Sequence, residues 1–190
     1  MAKKSSTEAF LPLCYYGNPV LRVHCQSVGA ITPELRDLAF DMLGTMYHAN
    51  GVGLAAPQVG RTESVCVIDV PEDAEKEEYA EINASIPMPL ICFNPEILSR
   101  EGEQTDEEGC LSFPSIHAEV TRANKVSFTF VDVRGERQTV TAYGLLARAV
   151  QHELEHLSGM VFIDDVSDVS AIELKLSKLE AKTKRKLGLL

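Results

Sequence analysis

The sequence predicts an α+β fold in which antiparallel strands surround a central metal-binding helix, with a further helix at the C-terminus. Three observations carry this. Thr32-Pro33 opens a strongly periodic apolar helix, and residues 126–143 alternate around Arg134-Gly135 as a β-hairpin does. Residues 144–158 then return to helical spacing and contain His152-Glu153-Leu154-Glu155-His156.

Each element has its own local cause. A threonine N-cap satisfies a free N–H, and proline at the first helical position sacrifices no hydrogen bond. Leu35, Leu38, Ala39, Met42, Leu43 and Met46 then recur on one face up to Asn50-Gly51. The Gly-rich loop Gly51-Val-Gly-Leu-Ala-Ala-Pro-Gln-Val-Gly60 leads to a strand near Ser64–Val70. A charged insertion runs to about Pro87, and a second strand lies near Leu90–Phe93. Val126, Phe128 and Phe130 alternate with polar or small residues, and the partner strand is Arg137–Tyr143. The helix at about Gly144–Ser158 is stopped by Gly159. After Asp164-Asp165 a basic helix is expected at about residues 168–187, with Val169, Ile172, Leu176 and Leu179 on one stripe and Ser170-x-x-Glu173 as a capping box.

With 190 residues, 45% of them hydrophobic, the chain suits one packed unit, and residues 1–190 read as a single catalytic domain without an internal repeat or linker. The opening Met1–Thr7 is polar and no apolar run reaches membrane-spanning length, so a cytoplasmic protein with no membrane partner is expected. Five cysteines without scaffold spacing suit free thiols in that setting, with Cys66 and Cys92 inside strand-like runs as core residues. A net charge of −10 argues against DNA as a partner. Acid clusters at Glu72–Glu81 and Glu101–Glu108 read as solvated surface, whereas Lys175, Lys178, Lys182, Lys184, Arg185 and Lys186 make the C-terminus basic.

The chemistry lies in the His-Glu-x-x-His segment. At 3.6 residues per turn, His152 and His156 differ by about 40° around the axis, so one ion can bridge them. Glu153 projects about 100° away, unsuited as a third ligand but able to reach a water on that ion. Leu145 and Ala149 fall at about 20° and 60° on the same wheel and extend the metal-facing stripe as an apolar wall for substrate. A catalytic site needs a third protein ligand and an open position. Candidates are His24, His48, His117, a carboxylate and Cys110. Cys110 is favoured, since Gly109 permits close backbone approach and a thiolate binds divalent ions well.

Three segments together resemble the peptide deformylase family: Gly51-Val-Gly-Leu-Ala-Ala-Pro-Gln58, Glu108-Gly-Cys-Leu-Ser112 and Gln151-His-Glu-Leu-Glu-His-Leu-Ser-Gly159. They occur in the family's order and approximate spacing, and the resemblance extends over roughly residues 10–165. It implies that Cys110, His152 and His156 bind one divalent ion per chain, with Glu153 as the catalytic acid/base. It implies that Gln58 and the backbone N–H of Leu111 stabilise the oxyanion, and that substrate pairs as an added strand with Val52, Gly53 and Gly109. Ferrous iron is the physiological ion the resemblance implies, and zinc or nickel also suit the donors. The implied activity is hydrolytic removal of the formyl group from the N-terminal methionine of nascent polypeptides, with release of formate. Formyl-methionyl chains would be the substrate, and the basic C-terminus a contact for the ribosome.

The chain departs from the family pattern in two places. Glu155 stands where aspartate is usual, and His117 where many members carry arginine near the pocket mouth. An endopeptidase of the zinc HExxH type would instead need a third His or Glu ligand and an open cleft. A non-catalytic metal or formyl-peptide binder would leave Glu153 and Gln58 without a role.

Overall fold

The computed structural model describes residues 10–190; the polar opening Met1–Thr7 lies outside the described residues. Helix α1 (Pro33–His48) begins as expected, with the Thr32 hydroxyl accepting from the Leu35 N–H. Strands β1 (Gly53–Ala55), β2 (Val65–Ile68) and β3 (Leu90–Glu101) follow, with a short helix α2 (Glu77–Asn83) inside the charged insertion. The remaining elements are β4 (Gln104–Gly109), β5 (His117–Arg122), β6 (Lys125–Val131), β7 (Arg137–Tyr143), α3 (Gly144–Leu157) and α4 (Glu173–Lys186). Strands β1-β2-β3-β6-β7 form one antiparallel sheet, and β4-β5 form a separate antiparallel pair.

The large sheet lies between α1 and α3. Strand β2 shows how four residues serve two cores, because successive side chains point to opposite faces. Val65 and Val67 pack with Met42, Met46 and Phe93 on the α1 side, while Cys66 and Ile68 pack with Phe128, Leu146 and Val150 on the α3 side. A strand buried on both faces reads as a continuous apolar run, which Val65-Cys-Val-Ile68 is. A third cluster joins Phe113, Ile116 and Phe162 to Ile172 and Leu176 of the C-terminal segment. Every residue of α3 is buried except Leu145 and Glu155, so the central helix expected from sequence is embedded almost along its whole length.

Two boundaries and one strand pair differ from expectation. The strand expected at Leu90–Phe93 continues to Glu101, because beyond a bulge its polar half still pairs with β6. The β4-β5 pair had no sequence signal: β4 is Gln-Thr-Asp-Glu-Glu-Gly, without apolar alternation. The C-terminal helix starts at Glu173 rather than near 168, and the Ser170-x-x-Glu173 capping box does not form. Asp168 accepts from the Ser170 N–H at 2.8 Å in a local turn, and this side-chain bond competes with helix initiation. No helix among the described residues is long and apolar enough to cross a membrane.

Candidate metal centre

Burying α3 places Arg148, Gln151, His152, Glu153 and His156 away from water, and each such group costs several kcal/mol unless paired. Gln151 is satisfied by both backbone groups of Ala123, and its amide also donates to the Ala147 carbonyl. Arg148 donates to Glu108 at 2.9 Å and to the carbonyls of Val120 and Gln104. His152 is held through Nδ1 by Glu108 Oε1, which directs its Nε2 away from the carboxylate.

Glu108 is the hub. Its oxygens also accept two bonds of 2.7 Å from Arg122, whose remaining N–H groups meet Glu155 at 2.5 and 2.9 Å. Burial alone would raise the Glu108 carboxyl, but bonds from Arg122 and His152 outweigh it and hold the group well below the usual carboxylate range. Glu108 is therefore ionised at neutral pH and fixes the His152 tautomer with Nδ1 protonated.

Cys110 follows β4 directly, and its carbonyl is anchored by the Phe113 N–H at 2.8 Å. Its Sγ lies 3.3 Å from His156 Nε2, and one donor atom each from Cys110, His152 and His156 fall within 4.8 Å of one another. His156 Nδ1 and Glu153 Oε2 have no hydrogen-bond partner among the described residues. Burial lowers the His156 pKa and keeps it in the neutral form a ligand needs. One thiol and two imidazoles converging this closely fit a divalent transition-metal ion.

Glu153 lines the same cavity as Cys110 and His152. Burial pushes its carboxyl up to about 7. It fits only because residue 53 is glycine: a Cβ there would lie 2.7 Å from Glu153 Cδ. Gln58 is 1% exposed; its Oε1 accepts from the Ala55 N–H at 2.7 Å, which turns Nε2 toward Cys110 Sγ at 3.4 Å. A cavity of about 550 Å³ opens over these groups and is lined by Val52, Gly53, Gln58, Gly109, Cys110, Leu111, Leu145, Ala149, His152 and Glu153 among others. Every residue expected at the site lines this cavity except His156, whose ligand atom lies within 4.8 Å of those of Cys110 and His152.

The family model for polypeptide deformylase matches residues 10–171. The chain belongs to the polypeptide deformylase family. The peptide deformylase of Endomicrobium trichonymphae is 43% identical over 178 residues, 94% of this chain and 96% of that one. That of Xylella fastidiosa strain 9a5c is 41% identical over 180 residues, 93% and 98% of the two chains. Among solved structures, peptide deformylase 1B of Arabidopsis thaliana, bound to an inhibitor, matches with a TM-score of 0.81 at 33% identity, covering 93% of this chain and 94% of that one. The Synechococcus elongatus peptide deformylase in complex with actinonin matches at a TM-score of 0.75 and 38% identity, covering 95% and 89%. This deformylase is accordingly a hydrolase with an α+β fold.

Both departures from the deformylase pattern have a visible setting. The longer Glu155 side chain reaches Arg122 with two oxygens. His117 pairs with Gly109 across β4-β5 and lies on it so closely that a Cβ at 109 would be 2.6 Å from the imidazole. Of the other candidate ligands, His48 stacks on Phe10 at 3.9 Å between ring centroids and His24 lines a different cavity, so neither joins the cluster. Sequence reasoning read Glu108 as solvated acid and assigned no role to Arg122 or Arg148, whereas Glu108 is buried at 6% exposure. The one available signal was Arg148 standing inside the otherwise apolar run Leu145-Leu-Ala-Arg-Ala-Val150, where a charge needs a partner.

Proposed function

We propose that this chain removes the formyl group from the N-terminal methionine of new polypeptides at one ion held by Cys110, His152 and His156, releasing formate. The observation that carries the reading is the convergence of three ligand atoms within 4.8 Å with Glu153 and Gln58 on one cavity. Three protein donors leave a coordination position open, as catalysis requires and a structural site does not. A divalent ion there would supply Lewis-acid polarisation and a nucleophile at neutral pH. Ferrous iron is our first assignment, with zinc or nickel compatible with the donors.

The remaining steps belong to the protein. Glu153, with its pKa raised by burial, takes a proton during attack on the formyl carbon and returns it to the departing amine. Gln58 Nε2 and the Leu111 N–H donate to the oxygen that becomes negative in the tetrahedral state. Strand β1 pairs only with β2 and β4 only with β5 among the described residues, so each presents an edge beside the cavity at Val52, Gly53 and Gly109. An extended substrate backbone can use both edges as an inserted strand. Leu145 and Ala149 line the slot for an unbranched apolar side chain such as methionine.

In this reading residues 1–190 form a single catalytic domain that works in the cytoplasm on nascent chains, without DNA or a membrane as partner. The exposed Lys182, Arg185 and Lys186 of α4 offer the acidic protein a basic contact for the ribosome. An endopeptidase is disfavoured because a cysteine, not a third His or Glu, completes the ligand cluster. The deciding assay is anaerobic formate release from a formyl-Met peptide by iron, zinc and nickel forms. Absence of formate with all three ions, or cleavage of internal peptide bonds instead, would overturn the reading.

A further inference from the structure

Helix α3 has no N-terminal cap of its own. Its N-cap residue Tyr143 makes no side-chain hydrogen bond and its first turn contains no acidic residue. The free N–H groups and positive pole of the helix therefore need an acceptor from elsewhere. Glu75, from the insertion whose acidic residues read as solvated surface, provides it. Its Oε1 accepts from the Leu145 N–H at 2.9 Å and its Oε2 from the Leu146 N–H at 3.0 Å.

The insertion is fastened to the start of α3 at further points. Asn83 donates to the Tyr143 carbonyl at 3.1 Å and accepts from the Tyr143 N–H at 3.2 Å, and Tyr79 Oη accepts from Asn124 at 3.1 Å. The approach is close enough to dictate residue 144. Gly144 has φ +57, and a Cβ there would lie 2.5 Å from Glu75 Oε1 and 2.9 Å from Tyr79 Cγ. A left-handed φ and two colliding neighbours together demand glycine.

We propose that Glu75 is a positioning residue for substrate selection: by capping α3 across the chain it fixes the pocket wall formed by Leu145 and Ala149. The proposal rests on the deformylase reading. Glu75 does not line the cavity, whereas Leu145, whose N–H it binds, does. The reacting end of the helix has separate anchors, since His152 is held by Glu108 and Glu153 is seated against Gly53. Loss of the cap loosens the first turn and leaves the metal ligands in place.

The test compares Glu75→Ala, Glu75→Gln and Asn83→Ala with the parent, all full-length and metal-loaded. Amide exchange at Leu145 and Leu146 should accelerate about tenfold in Glu75→Ala while Gln151–His156 stay protected. KM for a formyl-Met peptide should rise about fivefold, with kcat and metal content changed less than about twofold. Preference for formyl-Met over formyl-Ala peptides should fall, and Glu75→Gln, which keeps one acceptor oxygen, should lie between. If Glu75→Ala fails to fold, Glu75→Gln and Asn83→Ala carry the same comparison. Unchanged exchange at Leu145 and Leu146, unchanged KM despite faster exchange, or a fall in kcat with KM intact would each overturn the proposal. A parent protein that releases no formate would overturn the deformylase reading instead, and is distinguishable because exchange does not depend on turnover.

Discussion

Glu108 holds His152 by Nδ1 while accepting from Arg122 and Arg148, so the orientation of one ligand imidazole is tied to two buried guanidinium groups. The carboxylate lies on β4 and the imidazole on α3, and this contact locks the strand pair carrying Cys110 to the helix carrying the other donors. Glu108→Gln removes the acceptor charge and leaves both arginines underpaired. We expect metal affinity to fall by about 10–100-fold, measured by competition with a chelator. Folding stability should fall by about 1–3 kcal/mol. Unaltered affinity would mean that His152 is oriented by packing alone.

Glu153→Gln should retain the metal and lose about 10²–10⁴-fold in kcat, because the amide can neither take nor return the proton. Cys110→Ala should lose metal first. Parallel metal analysis and formate assays separate the two, and near-normal turnover by Glu153→Gln would refute its assigned role.

Stability of the metal-stripped protein should carry a signature of Glu153. Its folded pKa of about 7 stands above the ordinary glutamate value of 4.5, so between those pH values the native state binds the proton and the unfolded chain does not. The stabilisation is full below the unfolded value and is lost as pH rises through about 7, an effect of order a few kcal/mol. Urea denaturation of metal-free protein at pH 5 and pH 8 should show a smaller loss with pH in Glu153→Gln than in the parent. Equal losses would place the titration elsewhere.

Ala149 is 5% exposed and faces the cavity, so a larger side chain there intrudes on the substrate slot. Ala149→Phe should raise KM for formyl-Met peptides at least about tenfold with metal content unchanged. Unchanged kinetics would move the slot away from this face of α3.

Lys182, Arg185 and Lys186 are exposed on α4, whereas Lys184 is paired with Glu180 at 2.6 Å and Thr183 is buried. Changing these three cations to glutamine spares the apolar attachment through Ile172 and Leu176. Ribosome co-sedimentation should weaken and lose salt dependence, by a slope of about one per phosphate contact removed. Turnover of a free formyl-Met peptide should not change. Identical co-sedimentation of variant and parent would exclude Lys182, Arg185 and Lys186 as the contact.

The sequence by itself determined whatever depends on neighbours within a few residues. Thr32 caps α1 because its hydroxyl reaches only three residues ahead, and Arg134-Gly135 turns β6 into β7 for an equally local reason. His152 and His156 share a helix face through their spacing alone. Cys110 was one of several candidate ligands until the three motifs were taken together. Tertiary structure decided the rest, because burial makes distant partners obligatory without specifying which they are. Arg148 announced that it needed a carboxylate, yet Glu108, 40 residues earlier, could be found only once β4 lay against α3. Glu75 read as solvated acid because it stands in a charged run, and the helix end it caps lies 70 residues away. Ser170 shows the converse: its pattern matches a capping box, but its N–H donates to Asp168 in a local turn and α4 begins later.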